Sequence, residues 1–121
     1  MKNYEWIKDY LLAKKEVEEE YKVEWEATLY KVDNKMFVMI GEDNKGKEII
    51  TLKLAPETNL ELQRKYPNMI VPGYYMNKKH WSSIYVDQEP ENKLLQDLLD
   101  DSYNVLITSL PKKRQVEINA D

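Results

Sequence analysis

Apolar and polar positions along this 121-residue chain follow two alternating rhythms. Tyr4, Ile7, Leu11 and Leu12 recur at helical spacing and predict a first helix, capped by Asn3 with Glu5 in its first turn. Trp6 and Tyr10, four residues apart, lie off that stripe and are expected to widen it or to cover a neighbouring edge. Glu18-Glu19-Glu20 reads as the helix exit and the loop behind it, a solvated acidic run without the spacing of a cation cage. From Tyr21 the period becomes two: Tyr21, Val23, Trp25, Ala27 and Leu29 alternate with polar neighbours, which predicts one strand with a buried face. Asp33-Asn34-Lys35 is a turn, Met36 to Ile40 a second strand, and Glu48 to Leu54 a third behind the turn from Glu42 to Gly46. Two short connections imply an antiparallel meander.

Pro56 suits the first turn of a second helix, with Leu62 and Tyr66 on one face, Leu60 at the flank and Pro67 as the stop. Met69 to Val71 predicts a short strand before the Pro72-Gly73 turn, and Ile84 and Val86 alternate along another after Trp81. Behind Pro90, Leu94, Leu95, Leu98, Leu99, Tyr103, Leu106 and Leu110 keep a helical period, with a break expected at Asp100-Asp101-Ser102 because Asp and Ser prefer caps. The tail after Pro111 is basic, then polar, and is expected to fray. The fold class is therefore α+β: a single domain over residues 1–121, in two layers, with one antiparallel sheet and helices mainly on one face. The element order is α-β-β-β-α-β-β-α.

Composition narrows the chemistry. With no cysteine, disulfides, thiolate nucleophiles and cysteine-based metal sites are excluded. The charged opening, Met-Lys-Asn-Tyr-Glu-Trp, predicts no export signal, and the longest apolar run is far short of a membrane span, so a cytoplasmic protein without membrane contact is expected. A net charge of −4 argues against nucleic acid as a whole-chain partner, but the charge is uneven. Residues 55–82 carry four basic and two acidic groups, whereas residues 83–104 carry one basic against six acidic.

The basic segment contains the most unusual stretch, Val71 to Asp87, which holds the only histidine and three of the nine tyrosines. No phosphate-cradling glycine loop occurs, and Ser82 and Ser83 sit on a predicted strand, a poor setting for a nucleophile served by His80. No catalytic constellation, metal site or cofactor is expected. His80 reads first as a hydrogen-bonded imidazole that fixes the loop beside Trp81. Yet Lys78, Lys79 and His80 are suited to phosphates, Trp81, Tyr74 and Tyr75 to stacking, and Asn77 to a base edge or a turn cap. Lys112, Lys113 and Arg114 are candidate helpers. The plainer alternative makes Trp81 and a tyrosine core anchors and leaves the lysines solvated.

Pro72-Gly-Tyr-Tyr-Met-Asn-Lys-Lys-His-Trp-Ser-Ser-Ile-Tyr-Val-Asp87 resembles the MmcQ/YjbR family of small bacterial proteins. Supporting matches are Trp25-Glu-Ala-Thr with Lys31-Val32, Met36-Phe37, Lys53 with Pro56-Glu57, Asp101-Ser102-Tyr103 and Leu110-Pro111. The resemblance implies a secretion-chaperone-like or frataxin-like α+β domain and a DNA-binding label attached to a "double wing" motif. Two positions depart from the family: Tyr75 stands where many members have a second histidine, and Ala55 where a polar cap is usual. The leading expectation is a non-enzymatic, monomeric DNA-binding module using Asn77, Lys78, Lys79, His80 and Trp81, assisted by Lys112, Lys113 and Arg114. The alternative is a protein-binding adaptor or chaperone-like module using a sheet edge or the Trp6–Tyr10 face. What separates them is whether Lys78, Lys79, Arg64, Lys65 and Lys112 to Arg114 share one face.

Overall fold

The computed structural model describes residues 2–120. Its helices are α1 (Trp6–Leu12), α2 (Pro56–Lys65), α3 (Asn92–Thr108) and α4 (Lys112–Asn119). Its strands are β1 (Glu18–Lys22), β2 (Ala27–Val32), β3 (Lys35–Glu42), β4 (Glu48–Lys53), β5 (Ile70–Pro72) and β6 (Trp81–Tyr85). All neighbours pair antiparallel in one sheet of order β1-β2-β3-β4-β6-β5. The expected α+β class and meander are both present, with one strand and one helix added.

Cross-strand register sorts the side chains. Tyr30, Val38 and Leu52 share a row and face the helices, where Ile7, Leu11, Leu95, Leu99 and Leu106 complete the buried core. The next row, Leu29, Met39, Thr51 and Ser83, faces away. There Ala27, Leu29 and Met39 form a second small cluster, with Met36 and Met76 packed against it. The helices thus seal one face, and a loop partly covers the other.

Four local expectations give way. The acidic run 18–20 is not a loop: it is the body of β1, where the Tyr30 hydroxyl donates to Glu19 at 2.8 Å and Lys31 pairs with Glu20. The single strand expected from Tyr21 is broken by a 3-10 turn at Val23–Trp25, after which Glu26 adopts a left-handed φ of 50°. Tyr21, Val23 and Trp25 are accordingly exposed, because the alternation runs straight through a corner. Asn3 caps nothing; Glu5 occupies the cap position and Asn3 has a left-handed φ of 73°. Finally, α3 runs unbroken across Asp100-Asp101-Ser102. Tertiary bonds there satisfy polar groups that would otherwise favour a cap: Ser102 donates to the Phe37 carbonyl at 2.9 Å, and Asp100 accepts from Tyr10 at 2.8 Å.

The tail after Pro111 also forms a helix where fraying was expected. Ile118 buries into the main core, and Arg114 binds Asp33 in the β2–β3 turn at 2.8 and 2.9 Å, with Glu16 on its other side. That turn places Asp33 and Asn34 at φ 50° and 66°, the two-residue hairpin geometry that Asn and Asp tolerate. Trp6 and Tyr10 do not form a free aromatic face. They pack on the core, Trp6 donates to Asn92 at 3.2 Å and Tyr10 to Asp100, and burial with that bond raises the Tyr10 hydroxyl pKa to about 12.

Candidate functional site

The β5–β6 connection, residues 73–80, is closed at its base by main-chain bonds. Gly73 N–H donates to the Trp81 carbonyl at 2.9 Å, and a Cβ on Gly73 would stand 2.6 Å from that of Trp81, so only glycine permits the approach. Leu54 N–H donates to the His80 carbonyl at 3.0 Å. Asn59, buried on α2, donates to the Leu54 and Lys79 carbonyls at 3.1 and 3.0 Å and accepts from Ser82 at 2.6 Å. Asn77 caps the turn at its tip, its Oδ1 accepting from Lys79 N–H at 2.9 Å. Lys78 is folded back, donating to the Gly73 carbonyl with its ammonium 5.7 Å from the Tyr74 ring.

Lys79 and His80 are exposed, and among the described residues neither side chain makes a hydrogen bond. The expected bonding role of the His80 imidazole falls to its backbone instead. Trp81 is half-buried on β6. Neither serine is available to His80: Ser82 is bound by Asn59 and Gln63, and Ser83 lies 2.7 Å from Thr51 and accepts from Tyr74 N–H at 3.0 Å.

The basic groups scatter. Asn77 to His80 lie on the connection, whose Met76 packs on the far face of the sheet and whose Lys79 carbonyl is bonded to Asn59 of α2, with Trp81 opening β6. Lys112, Lys113 and Arg114 begin α4, which packs on the helix side through Ile118, and Arg114 is held by acids. Arg64 and Lys65 end α2, also on the helix side. The candidate residues thus lie on three elements, and only the connection and α2 are joined directly, through Asn59 and the Lys79 carbonyl.

What the loop encloses is more specific. Between it and the 23–25 corner lies a cleft of about 400 Å³, open to solvent. Ala27, Met39 and Met76 form its apolar floor; Trp25, 50% exposed, and Tyr75, 65% exposed, form its walls; Glu24 and Glu42 stand at its rim. Tyr75 has φ 64°, a left-handed conformation that a bulky residue seldom adopts and histidine reaches more readily. The cleft is braced from behind. The Tyr85 hydroxyl donates to Asp43 at 2.9 Å and lies 3.0 Å from that of Tyr74, tying the loop to the β3–β4 turn. The Tyr74 contact, burial and Asp43 together push the Tyr85 hydroxyl well above its ordinary range. Backbone N–H groups of Lys47 and Lys45 hold the Asp43 carboxyl below its own. Sequence reasoning missed this cleft because Trp25, Met39 and Tyr75 come from three separate stretches; the apolar Val23 and Trp25 among glutamates were its only local sign.

A family model for YjbR matches residues 12–105. The chain belongs to the YjbR family. YjbR-family relatives include the uncharacterised protein YbdF of Escherichia coli O157:H7, 40% identical over 93 residues, covering 77% of this chain and 75% of that one. The uncharacterised protein YjbR of the same organism is 31% identical over 106 residues, covering 88% of each chain. Among solved structures, a Deinococcus radiodurans protein with a DUF419 domain superposes with a TM-score of 0.83 at 25% identity, covering 95% of this chain and 86% of its own. A Pseudomonas syringae protein shares the fold with a TM-score of 0.72 at 22% identity, covering 85% of this chain and 97% of its own. No helix among the described residues is long and apolar enough to cross a membrane.

Proposed function

We propose that this YjbR-family chain is a small non-enzymatic binding module that docks a protein segment in the far-face cleft, with residues 77–80 at its margin. The observation that carries this reading is the braced, aromatic-walled cavity on the face that no helix covers. Trp25 and Tyr75, two of the exposed large apolar side chains, line it. Exposed apolar groups around a preformed concavity favour a ligand that buries them. The brace through Tyr74, Tyr85 and Asp43 lowers the cost of ordering the site on binding.

Nucleic acid is the second reading, favoured by the exposed, unbonded Lys79 and His80. Against it, Lys78 is committed to the Gly73 carbonyl and Arg114 to Asp33 and Glu16, and glutamates rim the cleft. The two readings separate by salt. Affinity capture at low and high ionic strength, with wild type and a Trp25→Ala/Tyr75→Ala double variant, is expected to retain a protein partner only with wild type and at both strengths. Anisotropy with short single- and double-stranded DNA is expected to show no binding at low salt. Tight, steeply salt-dependent DNA binding that the double variant leaves unchanged would overturn the protein-binding reading.

A further inference from the structure

The cleft has a chemistry narrower than apolar. Its lining contains two carboxylates, Glu24 and Glu42, and no basic side chain. Among the described residues neither carboxylate has an ion-pair or hydrogen-bond partner, whereas Asp33, Glu19, Glu20, Asp43 and Asp100 are all engaged. Unspent negative charge therefore stands at the mouth of a cavity whose floor is Ala27, Met39 and Met76. One wall is already a cation acceptor, for the Lys22 ammonium rests 4.5 Å from the centre of the Trp25 ring. An indole face, a phenol ring, an apolar floor and free carboxylates are the features that recognise an ammonium group on an alkyl stem.

Resting on the protein-binding reading above, we infer that the cleft receives the lysine side chain of a partner protein. The four methylenes lie on the methionine floor between Trp25 and Tyr75, and the ammonium meets Glu24 and Glu42. An acidic or neutral anchor would leave the two glutamates unanswered.

The inference is tested by titrating isotope-labelled full chain with acetyl-Gly-Ser-Lys-Ser-Gly-amide, the same peptide acetylated on its lysine, and n-butylammonium chloride. The lysine peptide is expected to shift the Trp25 indole and the Met39 and Met76 methyl signals. Lysine acetylation and the Trp25→Ala variant should each weaken binding about tenfold or more. Glu24→Gln/Glu42→Gln, which keeps side-chain shape on an exposed rim, should weaken the lysine peptide while leaving the acetylated one unchanged. Equal binding of the acetylated peptide at these residues would overturn the lysine assignment and leave the protein-binding reading standing. No shift with either peptide at millimolar concentration would overturn both. Butylammonium binding as tightly as the peptide would overturn a protein source for the ammonium.

Discussion

The chain carries two short basic clusters that look alike on paper and differ in what is held. In Lys112 to Arg114 a side chain is consumed: Arg114 bridges Asp33, Glu16 and Glu117 and so fastens α4 to the rest of the domain. In Asn77 to His80 the main chain is consumed, through Asn59, Leu54 and the Gly73–Trp81 closure, while the Lys79 and His80 side chains point to no partner among the described residues. A fixed backbone presenting uncommitted side chains is what a recognition loop requires. A committed guanidinium is what a terminal helix requires.

Removing the buried amide that anchors the loop should have the largest effect. Asn59→Ala deletes two donors to carbonyls and one acceptor and is expected to cost about 3 kcal/mol in chemical denaturation, with the amide signals of residues 77–80 broadened. Gly73→Ala forces a methyl against the Trp81 Cβ and should cost about 2 kcal/mol by the same measurement. Arg114→Met should lower the melting temperature slightly and leave the loop signals untouched. That difference has a pH signature. Arg114 hydrogen bonds hold the Asp33 carboxyl below its ordinary value of 3.8. A depressed carboxyl contributes stability above its unfolded value and loses it as pH falls through the folded one. Wild type and Arg114→Met should therefore converge in acid, below about pH 4; a constant gap would mean the clasp is not electrostatic. The smallest effect is expected from Lys79→Ala, within about 0.5 kcal/mol of wild type, since its side chain supports nothing. A larger loss would erase the contrast between the clusters.

Much of this fold was legible because apolar rows are strict where burial is strict. Ile50, Leu52 and the Leu94–Leu110 series announced their elements, and the Asp33-Asn34 hairpin announced its turn. The misses share a physical origin. Val23 and Trp25 kept a strand's period across a corner, because exposed apolar residues obey no burial rule. The tail helix offered only Ile118 to the core, too little for periodicity to detect, and the Arg114–Asp33 contact that fastens it joins residues 81 apart in sequence. Asp100 and Ser102 stayed helical because partners from distant segments outbid local capping. At the candidate site, the Asn77 to Trp81 loop was visible as a concentration of unusual residues, but the cleft beside it is assembled from β2, β3 and the loop together. Only the register that brings Ala27, Gly41 and Met39 under Tyr75 and Met76 creates it.

The Gly73–Trp81 closure makes one clasp serve two layers. The two ends of residues 74–80 are fastened to each other and to α2, so the loop and the sheet edge hold one another in place. That segment is nonetheless part of the packing, since Met76 lies on the Ala27–Leu29–Met39 cluster and Tyr74 is bonded to Ser83 and Tyr85. The stretch that carries the family resemblance is thus also the clasp between the sheet edge and α2, joined through Asn59 to the Lys79 carbonyl and through Leu54 to that of His80.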